Sequence, residues 1–297
     1  MKKFKRIYIE ITNVCNASCR ACPKTSREPE FMGRDLFEKI IDEVKGYSRH
    51  LYFHVMGEPL LHPDIDTFLD LCGERALEVN ITTNGTLIKE AKDILLSKPA
   101  IRSINFSLNR FDEKTPIKDI DECLDEVFNF ITELGPSSKM IVCFRLWNME
   151  IDDTQNSNQR VQETGKNSYI LGRLENFFKV SGGIKETLFI GNGFKLKDNV
   201  YVSQRSFFDW PDKDISDLGE EGFCLGLRQQ IAILADGTVV PCCLDNEGTI
   251  DLGNINEASF KEIIEGKRAR DLYKGFSERK VVEPLCRKCG YRERFDQ

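Results

Sequence analysis

Three cysteines, Cys15, Cys19 and Cys22, stand in the stretch ITNVCNASCRACPKTSRE, residues 11–28, with the spacing Cys-x3-Cys-x2-Cys. Thiolates this close together in a loop suit an iron–sulfur cluster. A closed structural metal site takes four protein ligands. Three thiolates leave one iron of a [4Fe–4S] cluster without a protein ligand, so the spacing implies an open position where a small molecule binds the iron. Five more cysteines gather at the other end of the chain: Cys224, Cys242, Cys243, Cys286 and Cys289. The remaining three, Cys72, Cys123 and Cys143, lie in apolar runs and read as small buried hydrophobes.

The chain that must position them has 297 residues, enough for one large domain or one plus a small appendage. Hydrophobic residues make up 40% and charged residues 30%, an ordinary globular composition. The basic start MKKFKRIYIEIT leads into no long apolar run. Neither a signal peptide nor an apolar segment of about 18 residues is present, which points to a cytoplasmic protein with no membrane partner. A net charge of −6 argues against a broad nucleic-acid surface, and no nucleic-acid partner is expected. Eleven cysteines, an odd number, favour metal or redox chemistry over disulfides.

From residue 6 to about 205, short β-branched runs alternate with amphipathic stretches. Strands are expected at 6–11, 51–56, 78–83, 103–108, 140–147 and 200–203, and helices near 35–47, 64–76, 87–97, 118–134 and 158–179. This repeat predicts parallel strands with right-handed crossovers. The fold class expected is α/β, a partial (β/α)6 TIM-like barrel, because a full eightfold barrel needs about 250 residues. After FFDWPD, residues 207–212, the texture changes. A hairpin around Asp236-Gly237 and a helix near 259–273 suggest a small α+β domain. The expected division is 1–212 and 213–297.

The cysteine loop directly after the strand RIYIEIT resembles the motif of the radical S-adenosylmethionine (SAM) enzymes, with Cys15, Cys19 and Cys22 at the matched positions. The resemblance implies that SAM chelates the open iron and is reductively cleaved to a 5′-deoxyadenosyl radical, which takes a hydrogen atom from substrate. It also implies an electron donor of flavodoxin or ferredoxin type. The residue before the third cysteine is usually aromatic in the family and is Ala21 here. Gly57 and Glu58 in VMGEP match a Gly-Gly-Glu-like element that binds the SAM amino group, with Met56 in place of the first glycine. Thr83 and Asn84 in ITTNGT, Ser107 and Asn109 in SLN, and Arg145 in FRLWN fall where the family surrounds the methionine and ribose of SAM. All sit at C-terminal strand ends, where barrel active sites are built. Each also has a structural reading, and Asn-Gly is a common turn. His50, His54 and His62 form no metal spacing, and His54 alone is expected to face the barrel interior.

The pattern Cys224-x12-Gly237-x4-Cys242, followed by Cys286-x2-Cys289, resembles the SPASM and twitch auxiliary-cluster domains. SPASM domains continue with further cysteines and hold two clusters, whereas this sequence runs eight residues past Cys289. One twitch-type [4Fe–4S] cluster, bound by Cys224, Cys242, Cys286 and Cys289, is therefore implied. With the first site this makes two clusters plus SAM. Gly237 permits the turn that returns Cys242 beside Cys224. Cys243 is the alternative to Cys242, since neighbours in a strand point to opposite faces. Zinc is the rival for the whole set, although zinc ribbons usually pair two CxxC knuckles.

The implied reaction is a two-electron oxidation in which the auxiliary cluster accepts or relays an electron. The substrate is a small metabolite or a peptide or protein side chain. Arg145, Trp147, Asp209 and Trp210 are expected near the barrel mouth. No peptide-binding domain is seen ahead of the barrel, which slightly favours the small molecule. From a different class, a non-catalytic iron–sulfur sensor or electron carrier also fits the cysteines.

Overall fold

The computed structural model describes residues 3–19, 22–136, 138–152, 160–162, 166–180, 184, 193–206, 209–212 and 215–295. In chain order the first elements are β1 (Arg6–Ile9), α1 (Arg34–Val44), β2 (His50–Phe53), α2 (Ile65–Glu74), β3 (Glu78–Thr83) and α3 (Ile88–Ser97). Then come β4 (Ile101–Ser107), α4 (Ile117–Leu134), β5 (Ile141–Asp152), β6 (Arg160–Gln162) and α5 (Asn167–Phe178). The last are β7 (Gly193–Lys197), β8 (Val200–Ser206), β9 (Gln230–Ile233), β10 (Val239–Val240), α6 (Phe260–Ile264), α7 (Lys267–Ser277) and α8 (Pro284–Arg287).

Two compact units form. The first is Met1–Asn16, Pro23–Asn80 and Phe208–Gln297; the second is Ala17–Cys22 and Ile81–Phe207. Strand β3 crosses the division. In the first unit the strand order is β10-β9-β1-β2-β3, and in the second β3-β4-β5-β8-β7, with β6 on β5. The β1/β2, β4/β5 and β5/β8 pairs are parallel. The succession β1-α1-β2-α2-β3-α3-β4-α4-β5-α5-β8 is that of a partial (β/α)6 barrel. Helix α1 buries Phe37, Ile40, Ile41 and Val44, one face at helical spacing. In the first unit Phe37 stacks on Phe68 at 3.9 Å and meets Phe53 edge-on. In the second, Phe106 packs against Phe130 and Phe144.

The C-terminal hairpin joins the edge of the first unit's sheet. Strand β9 lies parallel to β1, with Ile7 opposite Ile231 and Ile9 opposite Ile233, and all four are fully buried. Strand β10 returns antiparallel to β9 through Asp236-Gly237, where Gly237 takes φ +90. The expected helix near 259–273 is two helices, because Gly266 is extended (φ −62, ψ 159) and caps the second. Of the helix expected at 158–179, α5 forms the later part, while Arg160–Gln162 is a strand paired antiparallel to β5. Strand β7, antiparallel to β8, went unforeseen because its alternation GFKLK is short and charged. The polar stretch 153–159 and Ala21 lie outside the described residues. Among those described, no helix is long and apolar enough to cross a membrane.

Candidate functional site

The cysteine loop leaves β1 through a clasp. Thr12 Oγ1 donates to Glu30 O at 2.7 Å, and Asn13 Nδ2 donates to Glu28 O at 2.8 Å. Glu30 N–H donates back to Asn13 Oδ1 at 2.7 Å, and Met32 N–H to Ile11 O at 2.8 Å. These bonds close the base of the loop with backbone partners, so its interior needs no regular structure. Cys15 and Cys22 are exposed and Cys19 is half-buried. Within the second unit, Cys22 N–H donates to Cys19 O at 3.3 Å.

Sequence reasoning missed the residue beneath the clasp. Glu10 is fully buried at the end of β1, and Arg27 Nη2 reaches both its carboxylate oxygens, at 2.6 and 2.8 Å. The same carboxylate accepts from Met56 N–H at 3.0 Å and Ala235 N–H at 3.3 Å. One side chain therefore ties the cysteine loop, the loop carrying Gly57 and Glu58, and the turn after β9. Burial raises the Glu10 carboxyl above its ordinary value, and Arg27 pulls it back down. The readable signal was a charge in the apolar strand YIEI.

Gly57 has φ +75, and a Cβ there would stand 2.2 Å from Thr12 O. Only glycine lets this loop lie against the base of the cysteine loop, where Glu58 N–H donates to Val14 O at 2.8 Å. Glu58 is 1% exposed, and its Oε1 accepts from Leu60 N–H at 3.1 Å, capping a 3-10 turn at Pro59–Leu61.

The other predicted SAM residues belong to the second unit, at the C-terminal ends of β3, β4 and β5. Thr83 Oγ1 accepts from Gly85 N–H at 3.0 Å, and Asn84 Oδ1 accepts from Thr86 N–H at 2.9 Å. Ser107 Oγ donates to Asn109 Oδ1 at 2.7 Å. Ser107 lies opposite Arg145 in the β4/β5 register. Arg145 Nη1 donates to Thr82 Oγ1 at 3.3 Å, and its guanidinium lies 4.7 Å from the Trp147 ring centroid. Trp147 Nε1 in turn donates to Ser203 Oγ at 3.3 Å. Alternation along β5 places Cys143, Arg145 and Trp147 on one half-buried face, opposite the fully buried Val142, Phe144 and Leu146. Cys143 is thus half-buried rather than a core residue, whereas Cys72 and Cys123 are buried as expected. Asp209 belongs to the first unit, and Arg145 and Trp147 to the second. The Asp209 backbone carbonyl accepts from Gly290 N–H at 3.2 Å, beside Cys289.

The second cysteine set lies within the first unit. Cys224, Cys242, Cys286 and Cys289 all line one cavity of about 430 Å³, open rim included. Cys242 follows β10, Cys286 lies in α8, and Cys289 follows α8. Among the described residues, no three His, Cys, Asp or Glu side chains converge as ligands of a single metal ion. The four thiols ring a space instead. Backbone amides gather at these cysteines: Gly226 N–H donates to Cys224 Sγ at 3.5 Å, Tyr291 N–H faces the Cys289 thiol, and Arg292 N–H donates to Cys289 O at 3.1 Å. Burial and then the neighbouring Cys224 push the Cys289 thiol up to about 11. Burial also raises Cys242 and Cys286, with the surrounding cysteines adding to it. Sulfurs crowded this way are stabilised as thiolates only by a cation among them, so the donor set fits a bound iron–sulfur cluster. Cys243 turns the other way. It packs with Tyr8, Val55, Ala232, Leu234 and Val240, and hydrogen-bonds with Tyr8. Two charged residues unforeseen in the sequence, Asp245 and Arg292, complete the cavity lining.

The sequence matches the radical SAM superfamily profile over residues 9–153 and the SPASM iron–sulfur cluster-binding domain over residues 224–290. It is 23% identical to the tungsten-containing aldehyde ferredoxin oxidoreductase cofactor-modifying protein of Pyrococcus furiosus, over 98% of this chain and 89% of that protein. It is 29% identical to the S-adenosyl-L-methionine-dependent 2-deoxy-scyllo-inosamine dehydrogenase of Niallia circulans, over 31% of this chain and 39% of that one. Among solved structures, Streptococcus suis SuiB bound to precursor peptide SuiA superposes with a TM-score of 0.60 at 15% identity, over 98% of this chain and 70% of that one. That likeness supports the fold, a partial TIM-like α/β barrel.

Proposed function

Since this chain belongs to the radical SAM superfamily and carries a C-terminal SPASM-type iron–sulfur domain, we propose that it is an oxidoreductase that cleaves SAM and oxidises its substrate by two electrons. Cys15, Cys19 and Cys22 would hold a [4Fe–4S] cluster with one iron open to SAM. Cys224, Cys242, Cys286 and Cys289 would hold a second, closed one, giving the division 1–212 and 213–297. When loaded, the first cluster supplies the electron that cleaves SAM to a 5′-deoxyadenosyl radical, and the second exchanges one electron. The observation that carries this reading is the convergence of four thiols on one cavity, alongside a separate loop of three.

The protein's own groups prepare both sites. Glu10 and the clasp at Thr12 and Asn13 fix the cysteine loop. Gly57 brings the backbone of the Glu58 loop against that loop's base. Arg145, held between Thr82 and Trp147, offers a guanidinium to a carboxylate or ribose hydroxyl. Thr83, Asn84, Ser107 and Asn109 supply the polar rim around it. Backbone amides at Cys224 and Cys289 neutralise part of the charge on the closed site. In this reading the protein works in the cytoplasm and takes its electron from a flavodoxin- or ferredoxin-type donor.

A small metabolite is the favoured substrate class. The relative aligned along nearly the whole chain is named for modifying a cofactor, and the second for a dehydrogenation. Oxidation of a peptide side chain is the second reading, supported by the fold shared with a precursor-peptide complex. The test is anaerobic reconstitution followed by reduction with dithionite in the presence of SAM. About eight irons per chain and release of 5′-deoxyadenosine are expected. About four irons with stoichiometric zinc would remove the auxiliary cluster, and iron without 5′-deoxyadenosine would point to a sensor or electron carrier.

A further inference from the structure

We infer that Arg292 sets the electron affinity of the four-cysteine site, its guanidinium acting as a built-in cation with an N–H directed at the cluster sulfurs. This rests on the reading of that site as a [4Fe–4S] cluster. Arg292 is 2% exposed and lines the same cavity as Cys224, Cys242, Cys286 and Cys289. Its two terminal nitrogens are committed elsewhere. Nη1 donates to Glu221 O at 2.7 Å, and Nη2 donates to Leu218 O at 3.1 Å and Gly219 O at 3.3 Å. Those bonds pin the guanidinium in place. Among the described residues, the buried Nε has no hydrogen-bond partner. A buried donor left unsatisfied is costly, so such an atom beside four thiols marks a place for an acceptor.

The charge arrangement supports the same conclusion. Of the cavity-lining residues, Asp245 and Arg292 carry charge. Asp245 turns its carboxylate to the amides of Thr249 and Ile250, at 2.9 and 2.7 Å, and burial raises its carboxyl. Among the described residues, the terminal groups of Arg292 meet neutral backbone carbonyls rather than a carboxylate. Its positive charge is therefore left to interact with the sulfurs. Reduction adds one negative charge to a cluster already bearing four thiolates. A fixed cation and an N–H···S bond stabilise the reduced state more than the oxidised one, which raises the midpoint potential. A raised potential suits a site that accepts an electron rather than one that donates it.

The test uses the full chain with Cys15, Cys19 and Cys22 replaced by alanine, so that the signal comes from the four-cysteine site alone. Iron content and an EPR-monitored redox titration are read for that protein and for its Arg292→Lys and Arg292→Gln derivatives. Both substitutions remove Nε–H, and only Gln removes the charge. The expected result is a shift to more negative potential in both, larger for Gln, at unchanged iron content. Lys alone suffices if Gln fails to assemble, because it too loses Nε–H. A wild-type potential in either variant with its cluster intact would overturn the role of Arg292 and leave the cluster assignment standing. Absence of iron from the parent protein would overturn the cluster assignment and this inference with it.

Discussion

Cys224, Cys242, Cys286 and Cys289 are drawn from a loop, a hairpin end and a short helix onto one cavity, whereas Cys15, Cys19 and Cys22 come from eight consecutive residues, two of them exposed. The closed site needs long-range folding to assemble. Its sulfurs receive backbone amides, and a buried guanidinium lies alongside. The open site is local in sequence, and the base of its loop is held by the clasp to Glu28 and Glu30 and by the Glu10–Arg27 pair. The contrast matches two chemistries. A site that binds a small molecule at its metal must leave a coordination position accessible. A site that only exchanges electrons gains from burial and full ligation.

The comparison breaks first at the open site. Replacing Cys15, Cys19 and Cys22 together by alanine should abolish 5′-deoxyadenosine release, because no other thiol serves that loop. Product chromatography after dithionite reduction checks it, and release at the wild-type rate would end the assignment. Cys286→Ala with Cys289→Ala should halve the iron, from about eight to about four per chain. It should leave reductive SAM cleavage measurable and remove oxidised product. An unchanged product yield in a variant lacking that iron would reduce the domain to scaffold.

How much was legible follows from how local each feature is. The six barrel strands and the helices α1 to α4 were readable because their apolar spacing repeats within a few residues. Strand β6 and the break at Gly266 were not, since one depends on pairing with β5 and the other on a single backbone angle. At the sites, cysteine spacing named the seven proposed ligands, four of which line one cavity, but Glu10, Arg27, Asp245 and Arg292 carry no motif. Glu10 meets Arg27 across 17 positions and Ala235 across 225, and Arg292 meets Leu218 across 74, while Asp245 turns to the nearby amides of Thr249 and Ile250. Glu58 shows the opposite lesson. Its motif suggested a ligand contact, and its carboxylate also caps the turn at Leu60, a structural task the sequence did not announce.

A third effect probes the support under the open site. Arg27→Ala leaves Glu10 fully buried without its cation, and should cost about 3 kcal/mol at neutral pH. The pH dependence has a definite sign. Burial holds the Glu10 carboxyl above its unfolded value, so its contribution is full at low pH and lost as pH rises through the folded value. Removing Arg27 raises the folded value further. The gap between variant and wild type should therefore widen towards neutral pH and narrow towards the ordinary carboxyl range near about 4.3. Denaturant unfolding of the apo-protein at several pH values reads this directly, and a pH-independent gap would show that Glu10 is not the group responsible.

The smallest effect distinguishes two adjacent cysteines. Cys242 and Cys243 come after β10 and Pro241, in a bend and turn that send the two side chains into different surroundings. Cys242 lines the cavity with three other thiols, while Cys243 packs among Tyr8, Val55, Ala232, Leu234 and Val240. The Cys243 thiol shares a hydrogen bond with the Tyr8 hydroxyl, whose proton is held tightly, first by burial and then by the nearby thiol. Cys243→Ala removes one sulfur from an apolar cluster and one weak hydrogen bond. It should cost about 1 kcal/mol and leave the iron content unchanged. Cys242→Ala removes a ligand and should lower the iron by the share of one cluster while leaving the Tyr8 cluster intact. The iron assay and a thermal melt on the pair of variants separate the two roles. If Cys243→Ala lost the iron and Cys242→Ala kept it, the ligand would be the other cysteine and the β10 register would have to shift by one residue.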